Sequence, residues 1–154
     1  MRAFLSLGSN VGDRAEHLRA GVGLVAGSDP VRVSRVYQSE PVGGVLQEDF
    51  WNLVIELQTT AGPRELLERA RAAEAARGRT REVRWGPRTL DVDVLLVDEL
   101  VSDDPQITLP HPRMFQRRFV LAPLAELAPE LVSEGALAGA VGAVAPIGTL
   151  ESLR

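Results

Sequence analysis

Residues 84–96 read RWGPRTLDVDVLL and place two aspartates, Asp91 and Asp93, inside an apolar run. The stretch 90–97 alternates aspartate with valine and then becomes apolar, which predicts a β-strand. Side chains at i and i+2 of a strand share one face, so the two carboxylates stand together. The remaining apolar side chains are expected on the opposite face; they are Val92, Val94 and Leu96. Neighbouring carboxylates repel each other, so the pair indicates either a bound cation or an ordinary solvated strand face.

Working outward from this strand, strands and helices alternate along the chain. Strands are predicted over 2–7, 31–37, 51–59 and 90–97, and helices over 14–25 and 63–77. Asp13 and Glu16 form a capping-box pattern at the start of the first helix, and Gly78 ends the second. The β-α-β-β-α-β order predicts an α+β fold, a ferredoxin-like sandwich with helices packed on the faces of an antiparallel sheet.

The C-terminal third is less regular. A short strand is predicted near Val101, a helix over 115–127 with a break at Pro123, and a weak helix or irregular segment over 135–144. Neither an internal repeat nor a linker interrupts the sequence. Residues 1–154 are therefore predicted to form a single domain.

The composition excludes several kinds of chemistry. Cysteine is absent, and all 17 basic residues are arginines, so no lysine is present for a P-loop, a protein-kinase strand or a Schiff base. If the chain handles phosphate, arginine must therefore take the role that lysine has in those proteins, and its planar fork suits phosphate oxygens. The sequence has neither a membrane-length apolar run nor a signal-peptide pattern, which predicts a cytoplasmic protein without a membrane partner.

Positive charge is concentrated in one segment of an acidic protein. Residues 69–88 contain seven arginines and two glutamates, whereas the whole chain has a formal net charge of −4. Such a segment predicts a localised anion site rather than general affinity for nucleic acid. Arg69 and Arg77 are expected on a solvated helix face.

Arg84 and Arg88 lie directly before the strand that carries the two aspartates. Magnesium is typically held by one or two carboxylates together with substrate phosphates. Arginines for phosphate and carboxylates for magnesium within one segment favour phosphoryl transfer.

The run from Arg84 to Leu95 resembles the signature of the 6-hydroxymethyl-7,8-dihydropterin pyrophosphokinase family. The resemblance extends over nearly the whole chain in several ordered motifs. They are FLSLGSNVGDR at 4–14, SRVYQSEPVG at 34–43, DFWNLVIELQT at 49–59, the E-x-x-x-G-R-x-R pattern at 74–81, LPHPRM at 109–114 and RRFVLAPLAELAP at 117–129.

The resemblance implies an enzyme that transfers diphosphate from ATP to the hydroxymethyl group of the pterin and releases AMP, in folate biosynthesis. It implies two magnesium ions on Asp91 and Asp93. The implied catalytic arginines are Arg79, Arg81 and Arg88. The implied ATP site comprises Glu74, Arg81, Arg88, Thr108, His111 and Arg117. The implied pterin site comprises Ser39, Val42, Phe50, Asn52, Trp85 and Phe119, with the two aromatic rings of Trp85 and Phe119 on either side of the pterin.

Other polar or flexible positions receive structural interpretations. His17 is expected to be structural, and Gly8 and Gly12 are expected to be turn glycines. Glu40 and Arg118 depart from the family pattern, which affects the expected loop conformation and substrate affinity rather than the reaction.

Two functions from other classes are open alternatives. A ferredoxin-like sheet with a basic loop is compatible with an RNA-binding module, although the acidic total and the strand aspartates oppose a phosphate backbone. A non-catalytic small-molecule-binding domain is the second alternative. The expected partners are ATP and the pterin, without nucleic acid, and the chain is expected to act as a monomer.

Overall fold

The computed structural model describes residues 1–39, 49–78 and 89–153. The first part of the chain alternates strands and helices. Its elements are β1 Arg2–Ser9, α1 Arg14–Ala26, β2 Val31–Val33, β3 Val36–Ser39, β4 Phe50–Gln58, α2 Pro63–Ala76 and β5 Asp91–Val97. The remainder contains α3 Arg118–Leu127, α4 Glu134–Gly139 and β6 Val144–Gly148, with single 3-10 turns at Met114–Gln116 and Pro129–Leu131.

The strands of the described residues form one open sheet in the order β5-β1-β4-β3-β6, with β2 also paired to β4. Each of these pairings is antiparallel. The predicted α+β, ferredoxin-like sandwich is therefore confirmed. Because β1 lies between β4 and β5, the end of β1 brings the first motif of the chain next to the aspartate strand.

The two faces of the sheet have different helical cover. Leu5 and Leu7 of β1 belong to an apolar cluster with residues of α1 and α2. Phe4, on the opposite face of β1, belongs to a second cluster with residues of α3. The alternation of one strand thus separates an α1/α2 face from an α3 face.

Helix boundaries follow the local signals. The Asp13 carboxylate accepts a hydrogen bond from the backbone N–H of Glu16 at 3.1 Å, which confirms the predicted cap of α1. Pro63 occupies the first turn of α2, and Gly78 follows this helix with a φ of 74°.

The single strand predicted over 31–37 is wrong, because two strands separated by Ser34 and Arg35 occupy this stretch. Ser34 is buried, and its hydroxyl oxygen accepts the backbone N–H of Val54 at 3.0 Å. A side-chain oxygen thus replaces a backbone acceptor in the ladder and ends the regular pairing.

The predicted break at Pro123 is also wrong, because α3 continues through this residue. The interruption lies at Arg117, which has an extended backbone (φ −114°, ψ 111°) and forms an isolated bridge with Val141. Residues 135–144 are predicted as weakly helical or irregular, and they contain the end of α4 and the start of β6. Near Val101, within residues 89–153, only an isolated bridge between Ser102 and Leu109 takes the place of the predicted strand.

In the described part of the chain, none of the helices combines the length and apolar character that crossing a bilayer requires.

Candidate active site

The α3 face of the sheet carries a row of residues that are paired across four strands. Asp91 of β5 is opposite Gly8 of β1, Gly8 is opposite Asn52 of β4, and Asn52 is opposite Tyr37 of β3. The family-implied metal ligand Asp91 and the family-implied pterin residue Asn52 are therefore separated by one glycine. Paired residues on adjacent strands lie about 5 Å apart, so the row joins both candidate subsites.

Asp91 and Asp93 project from one face of β5. Val92, which lies between them, and Val94, which follows Asp93, are buried in the α1/α2 cluster. Both aspartates remain partly exposed. The expectation for Leu96 is wrong, because its side chain packs with the α3 cluster. A register shift opposite Phe4 and Leu5 leaves an extra residue in β5 and interrupts the alternation there.

Glu74 of α2 fixes the strand segment between the two aspartates. Its side chain is buried, and its Oε2 atom accepts the backbone N–H of Val92 at 2.9 Å. Since β5 is an edge of the described sheet, this bond satisfies a donor that has no neighbouring strand. A family-implied ATP residue thus contacts the backbone between Asp91 and Asp93.

His111 lies beside the aspartates and is held at several atoms. Its backbone N–H donates to the Leu95 carbonyl at 2.9 Å, and its Nδ1 atom accepts the backbone N–H of Arg113 at 3.2 Å. Its Nε2 atom is 3.9 Å from Oδ1 of Asp93, too far for a hydrogen bond.

Burial lowers the pKa of His111 below its ordinary value, and the positive charges of Arg117 and Arg113 lower it further. The imidazole is therefore neutral near pH 7, and because Nδ1 is an acceptor, the proton is assigned to Nε2. The ring presents an N–H donor toward the space beside Asp93, where a phosphate oxygen can accept it.

On the other side of the row, Asn52 and Ser39 form a buried pair. The Nδ2 amide group of Asn52 donates to Ser39 Oγ at 2.8 Å. This bond orients the amide so that Oδ1 faces Gly8: a Cβ atom on Gly8 would lie 2.8 Å from Oδ1 and 3.6 Å from Cδ1 of Phe50. Ser39, Phe50 and Asn52, three of the implied pterin residues, are thus brought together.

Gly8 is a functional candidate that the sequence interpretation missed. It lies inside β1 and not in a turn, whereas Gly12, with a φ of 70°, has the predicted turn conformation. The absence of a side chain at position 8 leaves room between Asp91 and Asn52. An isolated glycine within a strand pattern indicates a close approach of this kind and was the available signal.

Phe119, Arg117 and Thr108 complete the described candidates. The guanidinium carbon of Arg117 is 5.5 Å from the centre of the Phe119 ring, and Phe119, which is partly buried, packs against the α3 cluster. The hydroxyl of Thr108 donates to the Asp104 carbonyl at 3.0 Å. The implied positions Val42, Arg79, Arg81, Trp85 and Arg88, together with Arg84 and Glu40, lie outside the described residues.

Several basic residues outside the row have structural contacts. Arg77 donates to Nδ1 of His17 at 3.1 Å and so joins the end of α2 to α1. Arg69 is less solvated than expected, because it donates to the Val25 carbonyl and pairs with Asp29 and Glu65.

The chemistry of the donor set fits a hard divalent cation. Among the described residues, no group of three or more His, Cys, Asp or Glu side chains is arranged to hold a metal ion. Asp91 and Asp93 offer carboxylate oxygens on one strand face, and magnesium usually needs only one or two such groups when substrate phosphates supply further ligands.

Comparison with known proteins identifies the family of the chain. The model of the family described as 7,8-dihydro-6-hydroxymethylpterin-pyrophosphokinase matches residues 4–129. The chain is 46% identical over 135 residues to a 2-amino-4-hydroxy-6-hydroxymethyldihydropteridine pyrophosphokinase of Bacillus subtilis, covering 86% of this chain and 81% of the relative. A protein of the same name from Methylorubrum extorquens is 44% identical over 137 residues, with 87% of each chain covered. Another, from Pseudomonas aeruginosa, is 42% identical over 133 residues, covering 84% of this chain and 82% of the relative.

Proposed function

The chain belongs to the 7,8-dihydro-6-hydroxymethylpterin-pyrophosphokinase family, and we propose that the row from Asp91 to Asn52 is where its reaction takes place. The protein is a pyrophosphokinase of folate biosynthesis that transfers diphosphate from ATP to the hydroxymethyl group of 6-hydroxymethyl-7,8-dihydropterin and leaves AMP. The single observation that carries the placement is the register, because it puts the implied metal carboxylate and the implied pterin amide on either side of Gly8.

Asp91 and Asp93 would hold magnesium, with two ions as the number implied by the family. When bound, the metal supplies positive charge that neutralises the phosphate oxygens and orients the reacting groups. The support lies in two carboxylates on one strand face, held by the Glu74 bond to the intervening backbone. The protein's own contribution here is to keep both carboxylates in place before the substrates arrive.

The ATP phosphates would lie over the His111 side of the row. His111 would donate from Nε2 to a phosphate oxygen, and Arg117, whose charge acts on His111, would neutralise another. Thr108 and Glu74 are proposed at the margins of this subsite. From the sequence motifs, Arg79, Arg81 and Arg88 are proposed to add charge to the triphosphate.

The pterin would lie on the Asn52 side of Gly8. The Oδ1 atom of Asn52 is oriented to accept an N–H of the ring, because its amide nitrogen is already bound to Ser39. Phe119 would contact one ring face, and Trp85 is proposed for the other, with Phe50 and Val42 at the edge. This arrangement would direct the hydroxymethyl oxygen toward Asp91 and the β-phosphorus of ATP.

The mechanism requires no protein nucleophile. Attack by the hydroxymethyl oxygen on the β-phosphorus forms the new P–O bond, and the bond from the β-phosphorus to the bridging α-phosphate oxygen breaks to release AMP. The proton of the hydroxymethyl group passes to solvent. Positioning and preorganised charge supply the acceleration, and exclusion of water prevents hydrolysis of ATP.

We further infer that residues 1–154 act as one pyrophosphokinase domain in a monomer, since residues on β1, β3, β4, β5 and α3 of one chain supply both candidate subsites. A cytoplasmic location is inferred because the reaction consumes ATP. The family assignment removes the support for an RNA-binding module.

The direct test incubates the protein with MgATP and 6-hydroxymethyl-7,8-dihydropterin and separates the nucleotides by chromatography. AMP that forms only when the pterin is present supports the proposal. ADP, or AMP formation independent of the pterin, would overturn it. Omitting magnesium in the presence of a chelator tests the metal separately, and undiminished AMP formation there would contradict the metal assignment.

A further inference from the structure

Arg118 stands between two proposed site residues, Arg117 and Phe119, yet its guanidinium binds a different part of the chain. Its Nε and Nη2 atoms donate to the carbonyls of Leu137 and Ala138 at 3.3 and 3.0 Å. Its Nη1 atom donates to the carbonyl of Gly142 at 2.5 Å. One side chain therefore binds the C-terminal end of α4 and the turn that follows it.

The backbone strengthens the same junction. The N–H of Arg118 donates to the carbonyl of Val141 at 3.1 Å, and the N–H of Val141 donates to the carbonyl of Gln116 at 2.8 Å. Residues 137–142, which we call the Arg118-bound segment, are thus attached to the start of α3 by side-chain and backbone hydrogen bonds.

The Arg118-bound segment leads directly to the other side of the candidate site. After Gly142, which has a φ of 102°, the chain enters β6, where Val144 pairs with Ser39 of β3. Ser39 is the residue that accepts the amide of Asn52. Two residues span at most about 7 Å, so the position of Gly142 constrains the position of Val144.

We propose that Arg118 is a positioning residue for the pterin subsite. By fixing the Arg118-bound segment against α3, it sets the location of Val144 and, through the β6–β3 pairing, of Ser39 and Asn52 relative to Phe119. This inference rests on the proposed placement of the pterin between Phe119 and Asn52.

The chemistry of arginine suits this role. The carbonyls in the last turn of a helix lack the regular i+4 donors and carry partial negative charge, so a cation is favourable there. The Leu137 carbonyl accepts the N–H of Ala140 at 3.4 Å in addition to the Arg118 side chain. A guanidinium binds several acceptors in a fixed planar arrangement, whereas a lysine ammonium is a point charge on a flexible stem. An arginine at position 118 thus orders the segment more strictly than a lysine can.

The test compares steady-state kinetics of the wild type with Arg118→Ala and Arg118→Lys. Arg118→Ala is expected to raise KM for the pterin about fivefold or more while kcat stays within about twofold, because the loss concerns the pocket wall and not the reacting groups. The pterin KM of Arg118→Lys is expected to lie between those of the wild type and Arg118→Ala. If Arg118→Ala does not fold, the lysine variant is read alone, and a normal pterin KM in it would overturn the proposal.

Arg69→Ala is the matched control. Arg69 likewise donates to a carbonyl in the last turn of a helix, Val25 of α1, but on the α1/α2 face. The Arg69→Ala substitution is expected to lower the midpoint of thermal unfolding without changing the pterin KM. Equal pterin KM values in Arg118→Ala and Arg69→Ala would show that Arg118 acts on stability alone and would overturn the inference.

A double-mutant cycle with Ser39→Ala identifies the route of the effect. If Arg118 acts through Ser39, the two increases in pterin KM are less than multiplicative in the double variant; fully multiplicative effects would contradict that route. Failure of the proposed function is recognised separately, because wild-type protein without pterin-dependent AMP, or Ser39→Ala with a normal pterin KM, would refute the placement of the subsite itself.

Discussion

Asn52 and Gly8 are directly paired between β4 and β1, and a Cβ atom on Gly8 would lie 2.8 Å from Oδ1 of Asn52. Such a distance is far inside van der Waals contact, so any side chain at position 8 must displace the amide. The amide is fixed at its other end by the 2.8 Å bond to Ser39. The geometry therefore couples a missing side chain on one strand to the orientation of a polar group on the next.

Gly8→Ala is expected to raise KM for the pterin about tenfold, which corresponds to loss of about one good hydrogen bond, with a smaller effect on KM for ATP. Steady-state kinetics with each substrate varied in turn measures this difference. Gly23→Ala is the control, since a Cβ atom there meets nothing within 4 Å. Equal changes in both KM values for Gly8→Ala would contradict a specific effect on the pterin side.

Asp93→Ala is expected to lower kcat by about three orders of magnitude or more, because it removes a proposed magnesium ligand at the reacting phosphates. The fold should persist, since the Asp93 side chain is 40% exposed. Activity is measured over a magnesium titration, and circular dichroism checks the fold. Asp103→Ala, at an exposed position after β5, serves as the control. A near-normal rate in Asp93→Ala with magnesium present would refute the metal assignment.

Glu74→Ala is expected to lower the free energy of unfolding by about 1–3 kcal/mol, because the Val92 N–H at the sheet edge loses its acceptor. Glu74→Gln keeps an acceptor oxygen and should lose less. Urea denaturation of the wild type, Glu74→Ala and Glu74→Gln measures the order of their free energies of unfolding. A glutamine variant as unstable as the alanine variant would show that the contribution of Glu74 depends on its charge rather than on this hydrogen bond.

The stability of the protein is expected to fall in mild acid. Burial lowers the pKa of His17 below the ordinary histidine value of 6.5, and the nearby Arg77 lowers it further. The His17 side chain therefore binds a proton more readily in the unfolded chain than in the folded one. The contribution of neutral His17 to the free energy of unfolding is complete above pH 6.5 and declines as the pH falls toward the folded-state pKa. Urea denaturation at pH values between about 5 and 8, a range that includes the ordinary histidine pKa, measures how far the free energy of unfolding falls.

His17→Gln should weaken this pH dependence while retaining an acceptor for Arg77. His111, whose pKa burial also lowers, should leave a residual slope in the variant. Identical slopes in the wild type and His17→Gln would contradict the contribution of His17.

The fold was predictable because it depends on local periodicity, whereas the candidate site residues were proposed from ordered motifs. The period of two along β5 correctly separated Asp91 and Asp93 from Val92 and Val94. The same rule assigned Leu96 to the wrong face. The register shift that turns Leu96 depends on the pairing of β5 with β1 and cannot be recognised in the local sequence pattern.

Contacts between distant elements explain the other differences. The break after β2 depends on the Ser34 hydroxyl meeting Val54, a residue 20 positions later. The strand β6 was missed because its sequence, Val144–Gly148, is rich in small residues and gains its conformation from pairing with β3. Arg118 departed from the family pattern, and its role became visible only through the carbonyls that it binds.

The pairing of β6 with β3 also has a consequence for the order of events during translation. Ser39 is made early, but its β6 partner Val144 follows more than 100 residues later. Until that late segment leaves the ribosome, the side of β3 that later binds β6 remains an open hydrogen-bonding edge of a kind that favours contact between nascent chains. The proposed wall of the pterin subsite is thus among the last parts of the sheet to be completed. On a ribosome that stalls before residue 144, the nascent chain already contains β5 with the proposed magnesium ligands but still lacks β6.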